Sequence, residues 1–173
     1  MKSVVKNFLL GSLCAIVLIT VALAIYLGLG FMPVASDATP PAWEAGLMTA
    51  AVHASVARQA GPLPAPLSHA DDAVIAGGKI YLDDCVGCHG APGQPPSDFG
   101  ATFYPRAPQF PRVGSSLSDA QLFWVAKHGI RMTGMSPQAD YSDAQLQTIV
   151  AFIDRIRNLS PAITKAIAPP AGK

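Results

Sequence analysis

Residues 8–32 read FLLGSLCAIVLITVALAIYLGLGFM, a run of 25 positions without a charge. At about 1.5 Å of rise per residue a helix of that length reaches roughly 37 Å, more than the ~30 Å hydrocarbon core of a bilayer. The pattern predicts one membrane-spanning helix over residues 1–32. Beyond it, Pro33, Pro40, Pro41, Pro62, Pro64 and Pro66 punctuate residues 33–70, which read as a proline- and alanine-rich linker. One proline-free piece, residues 43–60, places Leu47, Ala51, Ser55 and Val56 near one face and predicts a short helix lying on the membrane or on the domain.

The remaining pattern is helical, with no competing strand alternation. SDAQL occurs twice, at Ser118 and at Ser142, and each copy is a capping box in which serine takes the N3 amide and glutamine reaches back. The first predicted helix runs through LFWVAKH and stops at Gly129, a favourable residue just past a helix end. The second runs through LQTIVAFIDRIRNL and ends before Pro161, with Leu146, Ile149, Val150, Ile153 and Ile156 at helical spacing. A third, DDAVIAGGKIYLDD, leads into a pair of cysteines. Residues 91–114 are rich in proline and glycine and predict a long loop. The expected fold is an all-α domain over residues 71–162 with a tail at 163–173. A core this small calls for a cofactor or a covalent staple.

Composition changes the picture only modestly. The chain has 173 residues and a net charge of +1, so no basic face points to nucleic acid and no charge patch names a partner. Lys2 and Lys6 precede the apolar run while Asp37 is the first charge after it, which places the N-terminus in the cytoplasm and the rest outside. Ala35-Ser36-Asp37-Ala38 offers a cleavage-like site, but the apolar run is longer than the usual signal core of about 7 to 15 residues, so a retained anchor is expected. Cys14, preceded by Leu13, reads as a membrane-buried thiol. His53 and His69 lack a second ligand at metal-binding spacing and read as exposed.

The candidate chemistry lies in CVGCHG, residues 85–90. A zinc site needs four ligands, and after Cys85, Cys88 and His89 only His128 follows. A redox dithiol of the thioredoxin type belongs beside a βαβ pattern, and a plain disulfide leaves the histidine unexplained. C-x-x-C-H is the attachment signature of haem c: two thiols add to the vinyl groups and the histidine binds iron. Helical residues three apart point the same way and can grip one porphyrin edge. An electron-transfer haem then needs a second axial ligand, for which a thioether serves.

GKIYLDDCVGCHG, FYPRAPQF, HGIRMTGM and IVAFIDRI together resemble the class I c-type cytochromes over about half of the chain, Gly78 to Phe152. The resemblance implies a small helical bundle around one covalent haem c, with His89 as proximal and Met135 as distal iron ligand. Met132, three residues earlier, is the rival and reads as packing. In the family, proline directly follows this methionine, whereas here Ser136 intervenes before Pro137. The resemblance further implies that a carbonyl of the 104–108 stretch, that of Pro105, accepts the other N–H of His89. Arg106 would pair with a haem propionate or stay an exposed loop residue. Gly78, Tyr81 and Phe152 would form the crossing of the two terminal helices.

An iron closed on both sides by protein exchanges electrons rather than binding substrate. The implied function is therefore that of a membrane-anchored electron carrier, not an enzyme, serving redox protein partners on the periplasmic side of a bacterial inner membrane. No small-molecule substrate and no nucleic acid is implied. Two other readings stay open: a subunit of a larger respiratory complex, with Gly11, Ser12, Gly28 and Gly30 allowing close helix packing, and a gas or peroxide sensor or enzyme should Met135 be displaceable.

Overall fold

The computed structural model describes residues 2–35 and 38–168. Ser36 and Asp37 of the cleavage-like stretch, and tail residues 169–173, lie outside the described residues. The chain divides into two units, residues 1–39 and 40–173. The first is helix α1, Lys2–Gly28, with no buried residue and with length and composition sufficient to cross a membrane. Its one hydroxyl of note, Thr20 Oγ1, donates to the Ile16 carbonyl at 2.9 Å, so the side chain makes its bond within the helix.

The second unit contains α2 (Ala42–Gln59), α3 (Asp71–Ile80), α4 (Val86–His89), α5 (Phe110–Val113), α6 (Asp119–His128), α7 (Asp143–Arg155) and α8 (Pro161–Ile167), and no strand among the described residues. A π-helical turn, Tyr81–Cys85, joins α3 to α4, and Val86 N–H donates to the Tyr81 carbonyl across it. Both SDAQL segments form the predicted capping boxes: Ser118 with Gln121 starts α6, and Ser142 with Gln145 starts α7. Helix α6 ends at Gly129, whose φ of 66° is open to glycine at little cost.

Helix α7 supplies most of the core. Leu146, Ile149, Val150, Ala151, Phe152 and Ile153 are buried along it, and Ile156 follows in the short 3-10 turn beyond. Helix α3 crosses it at very close range. A Cβ on Gly77 would lie 1.9 Å from the Thr148 carbonyl oxygen, and one on Gly78 would lie 2.9 Å from the Phe152 ring and 2.8 Å from Ile167. One turn on, Tyr81 packs against Phe152 with ring centroids 5.2 Å apart, and its hydroxyl donates to the Gly90 carbonyl at 2.7 Å. The crossing of Gly78, Tyr81 and Phe152 thus forms as the resemblance implied. Burial pushes the Tyr81 phenol far above its ordinary range, so it remains a donor.

Three details depart from the pattern reading. Helix α2 buries Val56, half-buries Ala45 and Val52, and leaves Leu47, Ala51 and Ser55 exposed; it lies on the domain, against α6. The face was misjudged because alanines on several sides of α2 give no clear stripe. Residues 61–70 are not a free spacer: Leu63 and Leu67 pack on the core, Gln147 Nε2 donates to the Ala65 carbonyl at 2.5 Å, and Arg155 bonds the His69 carbonyl and Asp71. The core also continues past 162, since α8 buries Ile163 and Ile167 against it.

A side chain-to-side chain bond ties the α6–α7 loop to the π-turn: the Tyr141 hydroxyl donates to the Asp84 carboxylate. This bond, with lesser contributions from burial and neighbouring acidic charges, pushes the Tyr141 phenol up to about 12. The native state therefore holds this proton more tightly than the unfolded chain, where a tyrosine titrates near about 10. Its contribution to stability is complete below about pH 10 and is lost as the pH rises towards 12. Phenolate absorbance of the folded protein should show Tyr141 titrating late and the buried Tyr81 later still, and Asp84→Asn should bring only the Tyr141 titration back towards the ordinary range. Gly77→Ala should destabilise by about 1–3 kcal/mol or more through overpacking, whereas Gly46→Ala, which meets nothing within 4 Å in α2, should stabilise by about 0.5–1 kcal/mol. Urea unfolding of the two variants measures the contrast.

Candidate functional site

Cys85 ends the π-turn, and Cys88 and His89 lie on α4, which stops at Gly90 with φ 81°. A π-turn carries one residue more per hydrogen-bonded ring than the α-helix before it, so the cysteines are rotated relative to the core face of α3. Cys85 and Cys88 are free, half-buried thiols. Burial, and then the charges of Asp84 and Cys88, push the Cys85 thiol up to about 11.

The His89 ring is fixed on an edge and a face. Nδ1 lies 2.9 Å from the Pro108 carbonyl oxygen, and because a carbonyl only accepts, Nδ1 carries the proton. The unprotonated nitrogen of the neutral ring is then Nε2. Phe110 stacks on the imidazole with centroids 4.7 Å apart and planes 15° apart. Burial lowers the pKa of His89 below its ordinary value, partly offset by the Pro108 bond, so the ring is neutral and able to bind a metal. Two reduced thiols and such an imidazole on adjoining turns form a donor set that fits the haem chemistry expected from CVGCHG.

Pro105 is not the histidine's acceptor. Ala107 N–H donates to the Gly100 carbonyl at 3.0 Å, closing a loop with Pro105 and Arg106 at its exposed tip, and the chain turns back to His89 only at Pro108. The expectation chose the right segment and the wrong proline. The Arg106 guanidinium lies 5.9 Å from the centroid of the Tyr104 ring, a cation–π distance.

Met135 is half-buried in the loop between α6 and α7, and Met132 is 95% exposed with φ 62°. The backbone holds Met135 from both sides: Ile130 N–H donates to its carbonyl at 2.9 Å, and its own N–H donates to Thr133 Oγ1 at 3.1 Å. Gly129 must be glycine here, since a Cβ would lie 2.5 Å from the Met135 carbonyl oxygen and 2.7 Å from Pro137 N. Ser136 and Pro137 thus pass directly over the end of α6. The Phe103 ring lies against Gly134, where a Cβ would come within 2.5 Å, and meets Phe99 edge-on at 5.0 Å. Sequence reasoning named the stretch that contains Pro108 but not Gln109, which bonds the Cys88 carbonyl, or Phe110, which stacks on His89; the only signal was their place in PRAPQF, beside the proline chosen.

Residues 72–153 match a family model described as cytochrome c oxidase, cbb3-type, subunit III. No curated protein and no solved structure matches the chain. The matched residues run from the start of α3 through the CVGCHG turn and the methionine loop to Ile153 in α7. The chain therefore carries a c-type cytochrome domain of an electron-transfer, haem c family, together with one N-terminal helix apolar enough to anchor it in a membrane.

Proposed function

We propose that this protein is a single-haem electron carrier tethered by α1 to the bacterial inner membrane, with its domain on the periplasmic side. The observation that carries the reading is the CVGCHG turn itself, where two free thiols adjoin an imidazole kept neutral by burial and oriented by the Pro108 carbonyl. Cys85 and Cys88 would hold the haem covalently, with His89 Nε2 and the Met135 thioether on its iron. Bound there, the group supplies reversible one-electron exchange.

The chain's own residues set the conditions. Pro108, accepting from Nδ1, makes His89 a stronger donor. Phe110 covers one face of the ring and keeps water from it. The hydrogen-bonded loop over residues 130–135 limits the movement of Met135. The anchor confines the domain to the plane in which membrane-bound redox partners lie and raises its effective concentration beside them.

The description of the matching family favours a second reading, a cytochrome subunit within a larger oxidase. Gly11 and Gly28 of α1, where a Cβ would meet nothing within 4 Å, support close approach of partner helices in that case. Purification in mild detergent separates the two: a carrier elutes alone, and a subunit retains its partners in fixed proportion.

Carbon monoxide added to the reduced holoprotein tests the ligand set. The wild-type visible spectrum should not change, Met135→Ala should bind carbon monoxide at once, and Met132→Ala should behave as wild type. A wild-type spectrum that shifts on addition would overturn Met135 as a firm ligand and favour gas binding.

A further inference from the structure

Helix α4 has only four residues, so the carbonyls of Gly87 and Cys88 at its end need partners from elsewhere. Two side chains of the long loop supply them. Ser97 Oγ donates to the Gly87 carbonyl at 2.5 Å and accepts from Gly100 N–H at 2.9 Å. Gln109 Nε2 donates to the Cys88 carbonyl at 2.9 Å and to the Ala107 carbonyl, two residues back, at 3.1 Å, while Oε1 accepts from Ser97 N–H at 2.8 Å. The amide's two N–H groups and its oxygen are all engaged. The packing around it has no slack: a Cβ on Gly100 would lie 1.9 Å from the Cys88 oxygen and 3.0 Å from Gln109 Nε2, and one on Gly90 would lie 2.8 Å from Gln109 Oε1.

We propose that Gln109 is a positioning residue for His89. The inference rests on the reading of His89 as an iron ligand. Cys88 and His89 are chain neighbours, and so are Pro108 and Gln109. Two bonds therefore join one pair to the other: Cys88 carbonyl to Gln109 Nε2, and His89 Nδ1–H to Pro108 carbonyl. The Pro108 carbonyl also accepts from Phe110 N–H at 3.1 Å, a bond within the loop itself. The Gln109 bond, made by a side chain next to that peptide, is the one that ties the loop to the residue before His89 and so keeps the carbonyl towards the ring. The Gln109 side chain thereby maintains the Nδ1–H bond and, through it, the donor strength of Nε2. Ser97 supports the same clasp from its other end.

The test compares Gln109→Leu, which keeps the bulk but loses all three bonds, with Ser97→Ala and with Ser142→Ala, which removes the distant α7 cap. Three quantities are measured on each purified holoprotein: midpoint potential, solvent exchange of the His89 Nδ1 proton by nuclear magnetic resonance, and melting temperature. A weaker Nδ1–H bond makes His89 a poorer donor and withdraws stabilisation from the oxidised state. Gln109→Leu should therefore raise the potential and speed exchange several-fold, Ser97→Ala should move both in the same direction by less, and Ser142→Ala should lower only the melting temperature. If Gln109→Leu melts earlier but retains the wild-type potential and exchange rate, Gln109 is a structural fastener and the proposal is wrong. Should that variant yield no holoprotein, Ser97→Ala and Gln109→Asn, too short to span both partners, decide by the same criteria. His89→Ala separates the underlying reading: if it keeps the wild-type spectrum, His89 is not the ligand, whatever Gln109 does.

Discussion

Everything in the helical unit depends on how closely α3 can approach α7. The distances at Gly77 show the backbones of the two helices meeting with no side chain between them, and at Gly78 the Phe152 ring and Ile167 lie directly on the α3 backbone. The glycines weaken α3 as an isolated helix, since each costs roughly 1 kcal/mol against alanine in a helix interior. What they permit is larger in scale: with the helices this close, Val74 and Tyr81 reach a core formed by Leu146, Val150 and Phe152, all fully buried. Tyr81 carries the constraint onward, because its ring lies on Phe152 while its hydroxyl holds the Gly90 carbonyl just past His89. The crossing thus fixes both ends of the CVGCHG turn relative to the core.

The other side of that turn is held by a loop with little regular structure of its own. Between residues 97 and 110 the backbone makes a 3-10 turn and a short closed loop, and the polar groups there bond outward to α4. Ser97, Pro108, Gln109 and Phe110 act on Gly87, Cys88 and His89 by hydrogen bonds and one ring contact. Each such bond has a modest net value, about 0.5–1.5 kcal/mol, but several converging on one turn restrict it far more than any would alone. A short helix that could not be stable by itself is in this way fixed at the place proposed to hold the haem.

The methionine loop is built on a different principle. Its shape comes from Gly129, from backbone bonds between residues 130 and 135, and from the Phe103 ring laid against Gly134. Ser136 before Pro137 lengthens the step between Met135 and the next fixed point, yet the chain still returns at once, with Gln138 N–H on the Ala126 carbonyl. The Tyr141–Asp84 bond joins this loop to the turn that carries Cys85.

Helices α1, α2, α3, α6 and α7, both capping boxes, the stop at Gly129 and the CVGCHG signature were legible in the sequence because each depends on residues close together along the chain, whereas α5 and α8 fell in stretches read as loop and tail. A serine and the glutamine three positions on can only meet at a helix start, and two cysteines three apart share a face wherever the helix lies. The crossing of Gly78, Tyr81 and Phe152 came from resemblance rather than from pattern. What only the tertiary structure decided were relations between distant segments: that Pro108 and not Pro105 receives His89, that Leu63, Leu67, Ile163 and Ile167 belong to the core, and that α2 turns Val56 inward. Local physics determines which helices form and where they end, whereas the partner of a loop carbonyl depends on where the whole chain has brought it.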